Sequence, residues 1–128
     1  MARKPIEFRG FPAALRASYG PYMASVQHIV DGDTFDAFID IGLNEYPYRI
    51  CRILGIDAPE TNRAASREAG VAAKAYLESL MPVGSPVQLV TRPDPDSFGR
   101  YLVRVMVKDG TDVGAAMLAA GHAVVYER

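Results

Sequence analysis

With 128 residues, 49% of them hydrophobic and 23% charged, the chain has the size and composition of a single globular domain with its own core. A formal net charge of −1 gives no overall attraction to a polyanion, so any contact with nucleic acid needs a local cluster of cations. The lone Cys51 excludes an internal disulfide, and no run is apolar or long enough to span a membrane or act as a secretory signal, which favours a cytoplasmic protein.

Residues 1–22 hold Pro5, Pro12, Gly20 and Pro21 without a period, and they read as an irregular arm pinned by Phe8, Phe11 and Leu15. The domain proper is expected over residues 23–128. Its first strand starts at Ala24, where Val26, His28 and Val30 alternate with Ser25, Gln27 and Ile29 up to a hairpin turn at Asp31-Gly32. The return strand opens at Thr34 and places Phe35, Ala37, Ile39 and Ile41 on one face. After a turn over residues 42–47, a third strand is expected over residues 48–56. On it Arg52 shares parity with Ile50, Leu54 and Ile56, so if these face the core Arg52 does too, and Cys51 points the other way. A polar loop over residues 62–70 leads into a helix with Ala69, Ala72, Ala73, Tyr76, Leu77 and Leu80 on one stripe, ended by Pro82. Residues 87–91 form a fourth strand, residues 92–99 a Pro- and Asp-rich connection, and residues 101–107 a fifth strand. Asp109-Gly110 turns the chain, Thr111 or Asp112 caps a short helix carrying Val113, Ala116, Met117 and Ala120, and Gly121 follows as its C′ residue. Residues 122–126 are extended or irregular. This order predicts a mainly β, α+β domain: a five-stranded Greek-key barrel of the OB type, with a helix between strands three and four and a short C-terminal helix.

Three acidic or basic segments carry the chemistry. In Asp31-Gly32-Asp33-Thr34, Asp31 reads as a turn residue, while Asp33 can point inward, where a carboxylate is costly without a cation. An EF-hand is excluded, because the glutamate that such a loop needs is replaced by Gly42 or Asn44 when counted from Asp31 or Asp33. Asp57-Ala58-Pro59-Glu60 sets two carboxylates on a proline-stiffened turn with the Ala58 carbonyl between them, hard oxygens of the kind calcium takes. Arg52, inside an apolar run, needs a carboxylate or an anionic ligand, and a buried ion pair with Asp57 or Asp33 is the plainest solution. Arg100, after Phe98-Gly99, reads by itself as a solvated arginine at a strand start. His28 and His122 lie in no zinc-like cluster, so general-base work falls to a carboxylate. Tyr46, Tyr48 and Tyr101 can stack bases or simply pack.

Taken in order, Asp31-Gly32-Asp33-Thr34, then Arg52-Ile53-Leu54-Gly55-Ile56-Asp57-Ala58-Pro59-Glu60-Thr61, then Asp96-Ser97-Phe98-Gly99-Arg100 resembles the staphylococcal nuclease (thermonuclease) family over residues 24–126. The resemblance implies a five-stranded OB barrel that binds one calcium ion and hydrolyses DNA or RNA, single-stranded or flexible, as a monomer. By the same resemblance Asp33, Asp57 and the carbonyl of Ala58 hold the metal. Glu60 is the base that prepares the water, and Arg52 and Arg100 hold the scissile phosphate. Ser97-Phe98 replaces a lysine-tyrosine pair that secreted members often carry, and residues 61–66 lack their lysine-rich loop. A non-catalytic OB module that binds nucleic acid or peptide is the competing function, though clustered carboxylates would repel a polyanion. In a purely structural domain the same charges would pair with one another.

Overall fold

The structure is a computed structural model, described over residues 7–10 and 18–127; Phe11 and Leu15 lie outside the described residues. In chain order the elements are β1 (Tyr19–Asp31), β2 (Thr34–Asp40), β3 (Tyr48–Ile53), β4 (Ile56–Asp57), α1 (Arg67–Leu80), β5 (Pro86–Pro95), β6 (Tyr101–Met106), α2 (Val113–Ala119) and β7 (Val124–Val125). Five strands close into an OB-type barrel in the order β1-β2-β3-β6-β5, and β4 pairs with β7 in a separate two-stranded ribbon. Closure leaves the barrel no free sheet edge. Its pairs are antiparallel except β3 with β6, which run parallel. A parallel pair needs a long crossover, and the segment containing α1 and β5 provides it.

The barrel is filled by apolar, mostly β-branched residues on the inward face of each strand, among them Val26, Phe35, Ala37, Ile53, Leu89 and Val105. Leu77 of α1 and Met117 of α2 join the same core, so the helices plug the barrel rather than lie on it. Cys51 is buried there, and burial pushes its thiol up to about 12, with the nearby Asp36 charge adding to the effect.

Several expectations shift by a few residues, each for a local reason. β1 begins at Tyr19, paired with Thr91, ahead of the alternation that starts at Ala24. Register shifts between Val26 and His28 and between Ile29 and Asp31 break the period, so Ile29 is buried and His28 is exposed. α1 starts at Arg67 and takes in Gly70, which is buried, while Ala69 and Ala72 are exposed. β5 extends to Pro95, because its end pairs with the start of β6 at Tyr101. Asp112 is the N-cap of α2, its carboxylate accepting from the Ala115 N–H at 3.1 Å.

The third strand differs most. It ends at Ile53, turns at Leu54-Gly55 and resumes as β4. Gly55 adopts φ +86°, a conformation that costs glycine least. The inward residues of β3 are Cys51 and Ile53, whereas Ile50 is 43% exposed. Arg52 therefore lies on the face opposite the barrel core, and it is buried by a polar cap instead.

Candidate active site

That cap is built where the β1–β2 turn meets the β3–β4 turn. Thr34 and Arg52 are register partners on adjacent strands, which brings the residue before Thr34 beside the guanidinium. Asp33 and Arg52 are only 6% and 5% exposed. Arg52 Nη1 lies 3.4 Å from Asp33 Oδ2 and donates to the Ile56 carbonyl at 2.9 Å, and Nη2 donates to Asp57 Oδ1 at 3.0 Å. Because the chain turns at Gly55, Asp57 reaches the same guanidinium despite its odd spacing from Arg52. One arginine thus ties two turns together. The Tyr126 ring covers it, 5.7 Å from the guanidinium carbon.

Asp33 also accepts two hydrogen bonds. Oδ1 accepts from the Thr34 hydroxyl at 2.8 Å, and Oδ2 accepts from the Ala58 N–H at 2.9 Å. Ala58 itself is buried. A buried carboxylate with one cation and two hydrogen-bond donors is compensated, which answers the cost expected for Asp33. Asp57 is half-exposed, and only its Oδ1 is engaged by the guanidinium.

Glu60 stands beyond this cap on the loop that leads to α1. Its half-exposed carboxylate pairs with Arg63 Nε at 2.9 Å. The loop itself is fixed at two points. Asp31 Oδ1 accepts from the Thr61 N–H at 3.2 Å and from the Thr61 hydroxyl at 2.9 Å. Ser66 donates to the Glu60 carbonyl at 2.8 Å. A Cβ at Gly70 would sit 2.6 Å from that same carbonyl oxygen, so only glycine lets α1 approach the Glu60 backbone this closely. Asp31 therefore does more than make the turn expected of it: it anchors the segment that carries Glu60.

Arg100 is held apart from the cap by its own carboxylate. Its Nε and Nη2 both donate to Asp96 Oδ2 at 2.9 Å, its backbone N–H donates to Asp96 Oδ1 at 2.9 Å, and its guanidinium stacks on the Phe98 ring at 5.1 Å. It is an oriented residue, not the freely solvated one that the motif suggested in isolation. Burial pushes the Asp96 carboxyl up, but the Arg100 and Phe98 hydrogen bonds and the Arg100 charge outweigh it and hold the group below the usual carboxylate range.

The structure thus brings Asp33, Arg52, Asp57 and Ala58 together, sets Glu60 on the adjoining loop, and places Arg100 against Asp96. Asp33, Asp57 and the Ala58 carbonyl offer hard oxygens of the chemistry that calcium takes. Among the described residues no group of three or more His, Cys, Asp or Glu side chains is arranged to hold a metal, so any ion here takes carbonyl and water ligands as well. Asp31, Asp96 and Tyr126 are the residues that the sequence reading did not assign. For Asp96 a signal existed, since an aspartate two residues before a turn N–H caps that turn, and here it accepts from the Phe98 N–H at 2.9 Å.

A sequence model of the family described as staphylococcal nuclease homologue matches residues 50–128. Endonuclease YhcR of Bacillus subtilis is 28% identical over 116 residues, covering 84% of this chain and 9% of that protein. Uncharacterized endonucleases of Escherichia coli O157:H7 and of Escherichia coli are each 34% identical over 103 residues, covering 80% of this chain and 60% of theirs. The chain thus spans less than two thirds of the length of each of these relatives.

Proposed function

The chain belongs to the staphylococcal nuclease family, and from that premise we propose that it is a nuclease hydrolysing phosphodiester bonds of DNA or RNA. Its best substrates are strands flexible enough for a phosphate to reach the polar cap. The observation that carries this reading is Arg52, buried on the outer face of β3 between two carboxylates. Its Nη groups are committed to Asp33, Ile56 and Asp57, and its Nε–H makes no hydrogen bond among the described residues. A guanidinium so oriented presents a fixed donor to a phosphoryl oxygen.

In this reading Asp33, Asp57 and the Ala58 carbonyl hold a calcium ion. When bound, the ion polarises a phosphoryl oxygen and neutralises charge that grows in the transition state. The chain's own groups supply the rest. Glu60 accepts a proton from water as the water oxygen bonds to phosphorus, the phosphorus–oxygen bond to the leaving sugar breaks with its electron pair on the sugar oxygen, and that oxygen takes a proton from solvent to give a sugar hydroxyl beside the phosphomonoester. Arg52 and Arg100 donate to the oxygens on which negative charge accumulates. Glu60 must leave Arg63 to take a proton, and since both partners are well exposed, that pair is worth no more than about 1 kcal/mol. The release is a small cost beside the barrier it helps to lower.

Glu60→Gln tests the assignment. It keeps the side-chain shape and the loop anchors through Thr61 and Ser66 but cannot take a proton. We expect turnover to fall by about 10² to 10⁴ with little change in stability. A variant that cleaves at the wild-type rate would remove Glu60 from the chemistry.

A further inference from the structure

A second, chemically distinct hollow opens at the mouth of the barrel, where β1, β3 and β6 begin and β2 and β5 end. It encloses about 490 Å³, within the range of small-ligand sites. Tyr19, Tyr22 and Tyr101 are half-buried in its wall, the exposed Phe8 lines one side, and Arg49 and Arg92 stand exposed at its rim. No acidic residue is among its described lining. Arg49 Nη1 donates to the Tyr48 carbonyl at 2.8 Å, and among the described residues neither Arg49 nor Arg92 has a carboxylate partner. Arg67, on α1, shares that condition, whereas Arg9, Arg52, Arg63, Arg100 and Arg104 are each paired with an acid. In a chain of net charge −1, a cleft that combines aromatic faces with two unneutralised guanidiniums is selective for an anion that carries flat rings.

We propose that this cleft is a secondary binding site for a single strand of nucleic acid, which holds the substrate beyond the phosphate being cut. This rests on the nuclease reading above for its purpose, though its chemistry stands without it. A single strand fits where a duplex does not, because only unstacked bases can lie on tyrosine faces within a pocket. Arg49 and Arg92 take phosphates and the tyrosines take bases. The cleft lies toward the other end of β3 from the cap: Tyr101 follows Arg100 and pairs with Cys51, and Arg49 and Arg52 lie on one strand, about 10 Å apart at the rise of an extended chain. A strand that runs along β3 from Arg52 to Arg49 meets both sites. The chain should therefore grip oligonucleotides of several residues more tightly than it grips dinucleotides.

The test separates binding from cleavage. Fluorescence anisotropy of a labelled oligothymidylate of about twelve nucleotides is measured in chelator with wild type and with Arg49→Ala/Arg92→Ala, at several salt concentrations. Both arginines are exposed, so the double variant keeps the fold. The variant should bind the oligonucleotide with reduced affinity, and its salt dependence should be shallower by about 1.4 in log–log slope, the loss of two phosphate contacts on a single strand. Tyr19→Ala should weaken binding by about 5- to 150-fold without changing that slope, as expected for a lost stacking contact. Cleavage of a small chromogenic phosphodiester, too short to reach the cleft, should be the same in wild type and both variants. Equal affinity and slope in wild type and the double variant would overturn the proposal, as would undetectable binding by wild type. If wild type cleaves nothing but the affinities still separate, the cleft stands as a nucleic-acid site and the nuclease reading fails on its own.

Discussion

Arg52 is the residue on which the acidic turns depend, because among the described residues it is the one cation that meets both Asp33 and Asp57. Removing it strands Asp33, which is buried, while the half-exposed Asp57 can turn to water. Breaking a buried pair from one side costs about 3 to 5 kcal/mol. Asp33 keeps its bonds from Thr34 and Ala58, so Arg52→Met is expected at the lower end, read from denaturant melts. A change below about 0.5 kcal/mol, the scale of ordinary surface substitutions, would contradict the ion-pair account. Asp96 gives a prediction in pH. Its carboxyl is held below the ordinary range in the folded chain, so its contribution is present above the unfolded carboxyl value near 4 and is lost as pH falls through the lower folded value. The stability gap between wild type and Asp96→Asn should be constant near neutrality and shrink in acid below about pH 4. A gap that widens there would mean that Arg100 does not stabilise the charged form. Which residues touch was only partly legible in the sequence. Arg52 needing a carboxylate could be read from its apolar surroundings, but the Asp31–Thr61 bond joins positions 30 residues apart, and no local pattern encodes it.

At the scale of elements, the helix and the acidic loop form one unit through Gly70. Glycine within a helix ordinarily costs about 0.5 to 1 kcal/mol relative to alanine, so Gly70→Ala would stabilise a free helix. Here the added Cβ meets backbone, the Glu60 carbonyl oxygen at 2.6 Å, and backbone cannot step aside as a flexible side chain can. Overpacking of this kind costs about 1 to 3 kcal/mol, which outweighs the propensity gain. We expect Gly70→Ala to lower the melting temperature and also to reduce turnover, because the displaced loop carries Glu60. A stabilised variant of normal activity would show that α1 and the loop are independent. The elements themselves were largely readable. The alternation of β2 and the Asp112 cap of α2 are local signals and appear where expected, whereas of the expected α1 stripe Ala73 and Leu77 are buried but Ala69 and Ala72 are exposed. Three features escaped the pattern for physical reasons. A bulge hides the inward face of β1, two-residue strands such as β4 and β7 are too short to show a period, and the parallel pairing of β3 with β6 is a long-range choice.

On the scale of the whole molecule, the closed barrel is the mount, and the proposed site lies where the β1–β2 turn, the β3–β4 turn and the loop after β4 converge. The family and the barrel were legible because three short motifs recur in order, whereas the barrel-mouth cleft was not, since its lining comes from five strands and the arm. If Asp33 and Asp57 take calcium, the ion stabilises the folded chain by mass action, on the order of 2.7 kcal/mol at 100 times its dissociation constant. Wild type should melt at a higher temperature in millimolar calcium than in chelator. Asp33→Ala should lose that response, and it should also lower calcium-free stability because it removes a partner of Arg52 and Ala58. An equal calcium shift in both proteins would mean that Asp33 is not a ligand. The most direct measurement is cleavage of labelled single-stranded DNA and RNA by the purified chain in calcium and in chelator, with Glu60→Gln run beside it. The account predicts fragments from wild type in calcium, none in chelator, and a rate lower by about 10² to 10⁴ in the variant. Intact strands from folded wild-type protein in calcium, or equal rates in wild type and Glu60→Gln, would contradict it.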